Sequence, residues 1–277
     1  YSSAASDVYK RQLRGMKRSA RALGFDHLDA TVGLTQITCT FHRGEYFRTV
    51  IARQHSPAVD ASRIEALEDL THNRLYAGIT AQELAAMLDT IEHNVKKRWG
   101  GLTLSFAAAI ACAAFAYLNF FPLEAVGLVA LAAFAGQFVR YTVLHRHVHQ
   151  IGGVIAGGAT ASIVFFLLTE FFGAIGSVEP SELSSGFVAA VLFLIPGFPL
   201  FSALIDIARF DLDAGIVRLG YAFTVIFTAA FTVSMVSWLT KLSPDPPAPV
   251  QDMQWFLLAP LASFLGIAGF ALSLIHI

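Results

Sequence analysis

Between residues 100 and 239 the sequence is a succession of five apolar runs, at 100–121, 123–144, 151–175, 184–206 and 215–239. Each is long enough to cross a hydrocarbon core of about 30 Å at about 1.5 Å per residue. In lipid, each backbone polar group must be satisfied within its own segment or by packed protein. The runs are therefore expected to be helices of a membrane bundle: five complete spans over 100–240, with a partial sixth starting near Met253. Only 14% of the residues are charged and 55% are hydrophobic, against about 25% charged in an ordinary soluble domain. The bilayer is thus the first partner. A net charge of −1 gives no electrostatic basis for binding nucleic acid.

The fourth run reads FVAAVLFLIPGFPLFSALID over 187–206, with Pro196, Gly197 and Pro199 in its middle. Proline removes a backbone donor and clashes with the preceding turn, so the helix must break there. Broken backbone at bilayer depth is tolerated only where it faces protein or a water-filled cavity, and such a break points to a solute pathway. Asp206 closes this run, with Ser202 one turn earlier on the same face. A carboxylate in that place either takes up a proton or coordinates a solute, or it is merely solvated at the inner interface or paired with Arg209. Arg140 lies in the inner third of the second run, with Gln137 one turn before it. An arginine so deep costs about 2.5–3.5 kcal/mol at a helix centre. It either pairs with Asp206 or an anionic solute, or it snorkels to the interface. Arg218, at the start of the fifth run, reads as an interface anchor that borders the pathway.

Charge is concentrated in residues 1–99. Residues 13–99 are expected to form a small α/β region. A helix over Arg14–Leu23 stops at Gly24. DATVGLTQITCTF over Asp29–Phe41 and Glu45–Arg53 read as two strands of a hairpin around His42-Arg43-Gly44. Two strands alone are marginal, so further sheet is expected in an N-terminal part before Leu13 or in a partner. Asp60 should cap a helix reaching Ala77. Thr80 and Glu83 form a capping box ahead of a helix with Leu84, Leu88, Ile91 and Val95 on one stripe. With the N-terminus inside, Lys96, Lys97, Arg98, Arg140, Arg146, Arg209 and Arg218 flank the inner ends and Lys241 alone flanks the outer ones. That bias sets a cytoplasmic N-terminus. Residues 241–252 then read as a Pro-rich external linker and 253–272 as the start of a second membrane unit. The ends, 1–12 and 273–277, resemble translated adapter text and are expected to be non-native, so that the natural chain would begin before Leu13 and run past Leu272.

Cys39 and Cys112 make no disulfide framework or zinc pattern. On a helix His145 and His149 would share a face and His147 would not, so the trio reads as a solvated flank and no metal is expected. Glu170, near the outer end of the third run, is either an outer gate or simply solvated, with solvation favoured, and Asn119 is similarly placed. Gly153 and Gly157 make a GxxxG suited to close helix packing. No GxSxG, Walker A, GxGxxG or HExxH is present, and neither enzymatic activity nor a cofactor is expected.

Leu194-Ile-Pro-Gly-Phe-Pro-Leu200, then Ala203, Asp206, Gly215 and Arg218, with Arg140 and Arg146-His147-Val148-His149, resemble the threonine/serine exporter family, including its branch implicated in succinate export. The resemblance runs over about 14–240. It implies a cytoplasmic α/β region before five spans in the bacterial inner membrane, and efflux of small polar metabolites driven by the proton motive force. It also implies a second five-span unit, in the same chain or as a separate subunit. Threonine, serine and dicarboxylates such as succinate all remain open as solutes, and so does a homo-oligomer. A passive channel through the same break is the first rival; a membrane-tethered enzyme or sensor acting through the soluble region is the second.

Overall fold

The leading helix stops where glycine can take a left-handed turn. In the computed structural model of the chain, α1 (Ala4–Ala22) ends with Gly24 at φ 82. The Phe25 N–H reaches the Ala20 carbonyl and the Gly24 N–H the Arg21 carbonyl, both at 3.0 Å. This is a Schellman ending, which satisfies the last carbonyls of the helix. The structure describes residues 4–32, 36–53, 61–76, 78–95, 99–146, 148–175, 186–210, 212–241, 261–263 and 265–266. Expectations for Asp60 as a cap, Ala77 as a helix end, Lys96, Lys97, Arg98, His147, the 176–185 loop, 242–252 and nearly all of 253–277 lie outside these residues. The described residues fall into two compact units. Those of Tyr1–Arg98 and Gly197–Tyr221 form one, and those of Trp99–Pro196 and Ala222–Leu274 the other.

In the first unit, β1 (His27–Val32), β2 (Gln36–Arg43) and β3 (Tyr46–Arg53) make an antiparallel meander in that order. This corrects the expected two-stranded hairpin. The 29–41 stretch is two strands, with Asp29 opposite Thr40 and Val32 opposite Ile37. Alternation alone does not separate one long strand from two; Gly33 inside the pattern was the available signal in the sequence. The third strand supplies the sheet that two strands lacked. One sheet face carries Leu28, Ala30, Ile37, Cys39 and Phe41 against Met16 and Ala20 of α1. Burial there pushes the Cys39 thiol above its ordinary pKa.

The helix expected from Asp60 to Ala77 is α2 (Ala61–Asp69) followed by a π-helical turn over Leu70–Arg74. The chain then crosses Gly78 (φ 88), whose N–H meets the Ala22 carbonyl at 3.0 Å. The capping box forms as expected at the start of α3 (Ala81–Asn94). Thr80 Oγ accepts from the Glu83 N–H at 3.2 Å, and Glu83 Oε2 accepts from the Thr80 N–H at 2.9 Å. The buried stripe differs from the expected one. Leu84, Met87 and Ile91 pack with Ala22, Leu70 and Ile79, whereas Leu88 is 41% exposed. A spacing of i, i+3, i+7 serves the core as well as i, i+4, i+7, and only the docking angle chooses between them.

Thr80→Ala is expected to destabilise α3 by about 1 kcal/mol, read as faster hydrogen exchange of its first amides. The N–H of Thr80, and after it the Thr80 hydroxyl that donates to Glu83 Oε2 at 2.8 Å, hold the Glu83 carboxyl below its ordinary pKa. A depressed carboxylate stabilises above its unfolded pKa and loses that contribution as pH falls through the folded one. The native box should therefore weaken under acid, and the Thr80→Ala protein should show less of this acid response.

The membrane part contains α4 (Gly101–Leu118), α5 (Leu123–His145) and α6 (Gln150–Ala174). The fourth run is α7 (Gly186–Ala189), a 3₁₀ turn at Leu192–Leu194, and α8 (Gly197–Ala208); α9 (Leu212–Thr240) follows. Among the described residues, four helices are long and apolar enough to cross a membrane, or five if the bent pair Gly186–Leu194 plus Gly197–Ala208 is one span. In the second unit α5 and α6 touch backbone to backbone. A Cβ on Gly136 would lie 2.7 Å from both the Gly157 carbonyl oxygen and Ala161 Cβ. Gly186 admits α7 just as tightly, against Phe165 and Val129. Phe187, Ala189, Ala190 and Leu194 are consequently buried, which keeps the irregular first half of the run inside protein, as hydrocarbon requires. The Cys112 sulfur is hydrogen-bonded by the backbone of Leu192 and Phe193.

Candidate functional site

The break falls where proline chemistry puts it. Ile195, ahead of Pro196, is extended at φ −66 and ψ 122, the conformation a following proline enforces. The helix restarts at Gly197, so Pro199 occupies the first turn of α8. Its missing N–H costs nothing there, because first-turn donors have no intrahelical partner. Ser202 is buried, and its hydroxyl donates back to the Phe198 carbonyl at 2.8 Å.

One turn further along α8, Asp206 is buried and its Oδ2 accepts from Arg218 Nη1 of α9. Three local features make the meeting possible. The α8–α9 connection is short, and Phe210 within it takes φ 62, uncommon for a bulky residue. Gly215 lets the helices approach: a Cβ there would sit 2.6 Å from Ile207 Cγ1 and 3.2 Å from the Ala203 carbonyl oxygen. Arg218 lies one turn after Gly215 on the same helix, as Asp206 lies one turn after Ala203. Proline break, carboxylate, small residue and guanidinium are therefore parts of one α8–α9 hairpin. Arg218, expected as an interface anchor, has a side chain only 23% exposed and is committed to Asp206. An ion pair joins Asp206 to Arg218, twelve residues away in sequence, a partner not named among the expected ones, Arg140 and Arg209. Within this first unit α1 packs along α8, so the N-terminal region touches the helix that carries the carboxylate.

The second unit holds Gln137 and Arg140 on α5. Arg140 lies against Gly157, where a Cβ would come 3.0 Å from Arg140 Cβ. Gln137 is buried, and its Oε1 and the Ser162 Oγ of α6 are buried without a hydrogen-bond partner among the described residues. Ser162 was not singled out in the sequence, because a serine in a run of small residues looks like packing. His145 and His149 do not share a helix: α5 ends at His145, whose ring lies tilted against Tyr141 with centroids 3.9 Å apart, and His149 caps α6 by accepting from the Ile151 N–H at 3.3 Å.

A profile of the family described as "Putative threonine/serine exporter" matches residues 10–240. The chain belongs to this family. It is thus a multi-pass membrane protein of an exporter family, with its α8–α9 hairpin inside the matched region. It is similar to the "Probable succinate transporter subunit YjjP" of Escherichia coli strain K12, with 23% identity over 229 residues, covering 80% of this chain and 83% of that protein. The protein of the same description from Klebsiella aerogenes is 22% identical over 226 residues, again covering 80% and 83%. No solved structure matches the chain.

Proposed function

We propose that the chain exports small polar metabolites of the threonine and serine type from the cytoplasm, driven by the proton motive force. The observation that carries this reading is the buried Asp206–Arg218 pair directly after the proline break. A carboxylate that exchanges an arginine for a proton or a solute can serve as the coupling element, because its charge is costly in the bilayer unless something answers it. Pro196, Gly197, Pro199 and Ser202 would shape the path beside it. Gln137 and Arg140 would bind the carboxylate of the solute, with the unmatched Gln137 Oε1 and Ser162 Oγ receiving its donors. The N-terminal positive end of α8 would favour an anionic solute. The cationic flanks support a cytoplasmic N-terminal region, and membership of the exporter family supports spans in the bacterial inner membrane. The contact of α1 with α8 supports a gating role for that region. A second five-span unit would complete the pathway.

A dicarboxylate is the second reading, favoured by the likeness to proteins described as succinate transporter subunits. Inside-out vesicles carrying the chain together with its second unit discriminate the cases. Labelled threonine, serine and succinate are followed with and without an imposed pH gradient. Gradient-driven accumulation of an amino acid supports the first reading, and accumulation of succinate alone the second. Movement indifferent to the gradient means a passive channel. No movement of any of the three shifts the assignment to a tethered sensor or enzyme.

A further inference from the structure

We propose that β3 is the dimerisation edge of the N-terminal region, pairing antiparallel with β3 of a second copy about a two-fold axis at Thr49. Three observations carry the inference. First, β3 is the last strand of the meander, and among the described residues no strand covers its outer edge. An edge of eight residues offers a row of unpaired N–H and C=O groups, a template for another strand. Second, every residue of β3 is exposed, including Tyr46 at 85%, Phe47 at 72% and Ile51 at 61%. The α1 helix packs on β1 and β2 residues and leaves β3 uncovered on both faces.

Third, the hairpin sets the register and the register is self-complementary. The two-residue loop Gly44-Glu45, with Gly44 at φ 58, joins Arg43 to its partner Tyr46. The pair flanking such a loop is hydrogen-bonded, and hydrogen-bonded pairs then alternate along the ladder. Phe47, Thr49, Ile51 and Arg53 therefore turn their backbone groups outward. A second β3 can bond to them only in registers that set odd-numbered residues opposite odd-numbered ones. Centring on Thr49 places Thr49 opposite Thr49, Phe47 opposite Ile51, Arg48 opposite Val50, and Glu45 at the hairpin tip opposite Arg53 of the second copy. Opposite charges and an aromatic–aliphatic pair are favoured across strands. The next allowed register, centred on Val50, sets Phe47 opposite Arg53 and gives Glu45 no partner. In the chosen register the only like-charge approach is Arg48 to Arg48 on the diagonal, about 7–8 Å apart. The two-fold axis runs perpendicular to the sheet, so both α1 helices lie on one face of a six-stranded sheet. Two copies inserted the same way in one bilayer can obey such an axis along the membrane normal. A bilayer surface is the weaker occupant for this edge, since lipid cannot satisfy a strand ladder and Glu45 would face anionic headgroups.

The test uses the full chain in native membranes with a mild thiol oxidant. Opposed Thr49 positions would have Cα atoms about 5.5 Å apart, inside the disulfide range of about 4.4–6.8 Å. Thr49→Cys is expected to give a disulfide-linked dimer several-fold above Thr31→Cys on the far strand β1; the native Cys39 and Cys112 are buried. Adding Glu45→Arg should reduce the dimer, and adding Arg53→Glu to that variant should restore it. A Thr49→Cys chain that stays monomeric, links no better than Thr31→Cys, or ignores Glu45→Arg overturns the proposal. A monomeric Thr49→Cys chain whose introduced thiol is shielded from a water-soluble maleimide only by anionic vesicles overturns it as well and assigns the face to the bilayer.

Discussion

Arg218→Gln is expected to cut solute movement by roughly tenfold or more, a barrier or affinity change of about 1.4 kcal/mol, and to destabilise the chain by about 3 kcal/mol. That figure is the low end for removing one member of a buried ion pair, chosen because the Arg218 side chain keeps 23% of its exposure while that of Asp206 keeps 9%. Asp206→Asn should cost less stability, since it removes the more deeply buried charge, but it should lose transport equally. The double variant Asp206→Asn with Arg218→Gln separates the two roles. With neither charge of the pair left, it should regain much of the stability of the native protein and still fail to transport. Thermal unfolding and gradient-driven flux in vesicles give the two readings side by side. If the double variant transports like the native chain, the pair is a staple between α8 and α9 and has no part in coupling.

Gly136→Leu is the second large effect: the chain is expected not to fold into its bundle. Even Gly136→Ala should cost roughly 1–3 kcal/mol, the usual range for overpacking. The added carbon would meet the Gly157 carbonyl oxygen at 2.7 Å, and backbone cannot swing aside as a side-chain tip can. Lipid offers no hydrophobic drive to hold helices together, so close backbone contact supplies most of their association. Gly127 is the control on the same helix. A Cβ there meets nothing within 4 Å, and Gly127→Ala should be neutral or stabilising by up to about 1 kcal/mol through helix propensity. Equal melting temperatures for Gly136→Ala and Gly127→Ala would remove the α5–α6 contact as the explanation.

Elements that depend on neighbours in sequence were legible before any coordinates. The membrane helices follow from run length against bilayer thickness. The Thr80–Glu83 cap and the Gly24 stop follow from local hydrogen bonding. The break at Pro196–Pro199 follows from the missing proline donors. Two errors in the soluble region came from patterns that local chemistry leaves degenerate. Alternation over 29–41 suits one strand or two, and the apolar face of α3 accepts Met87 or Leu88 until the helix docks.

The sequence by itself therefore determined which segments cross the membrane, where the fourth one breaks and how the helices end, because these are set within a turn or two of chain. Only the tertiary structure brought Arg218 to Asp206. Residues 206 and 218 sit on different helices, and their contact requires the tight connection at Phe210 and the close approach at Gly215. A helix presents its side chains all round, and nothing local states which of them a neighbouring helix will meet.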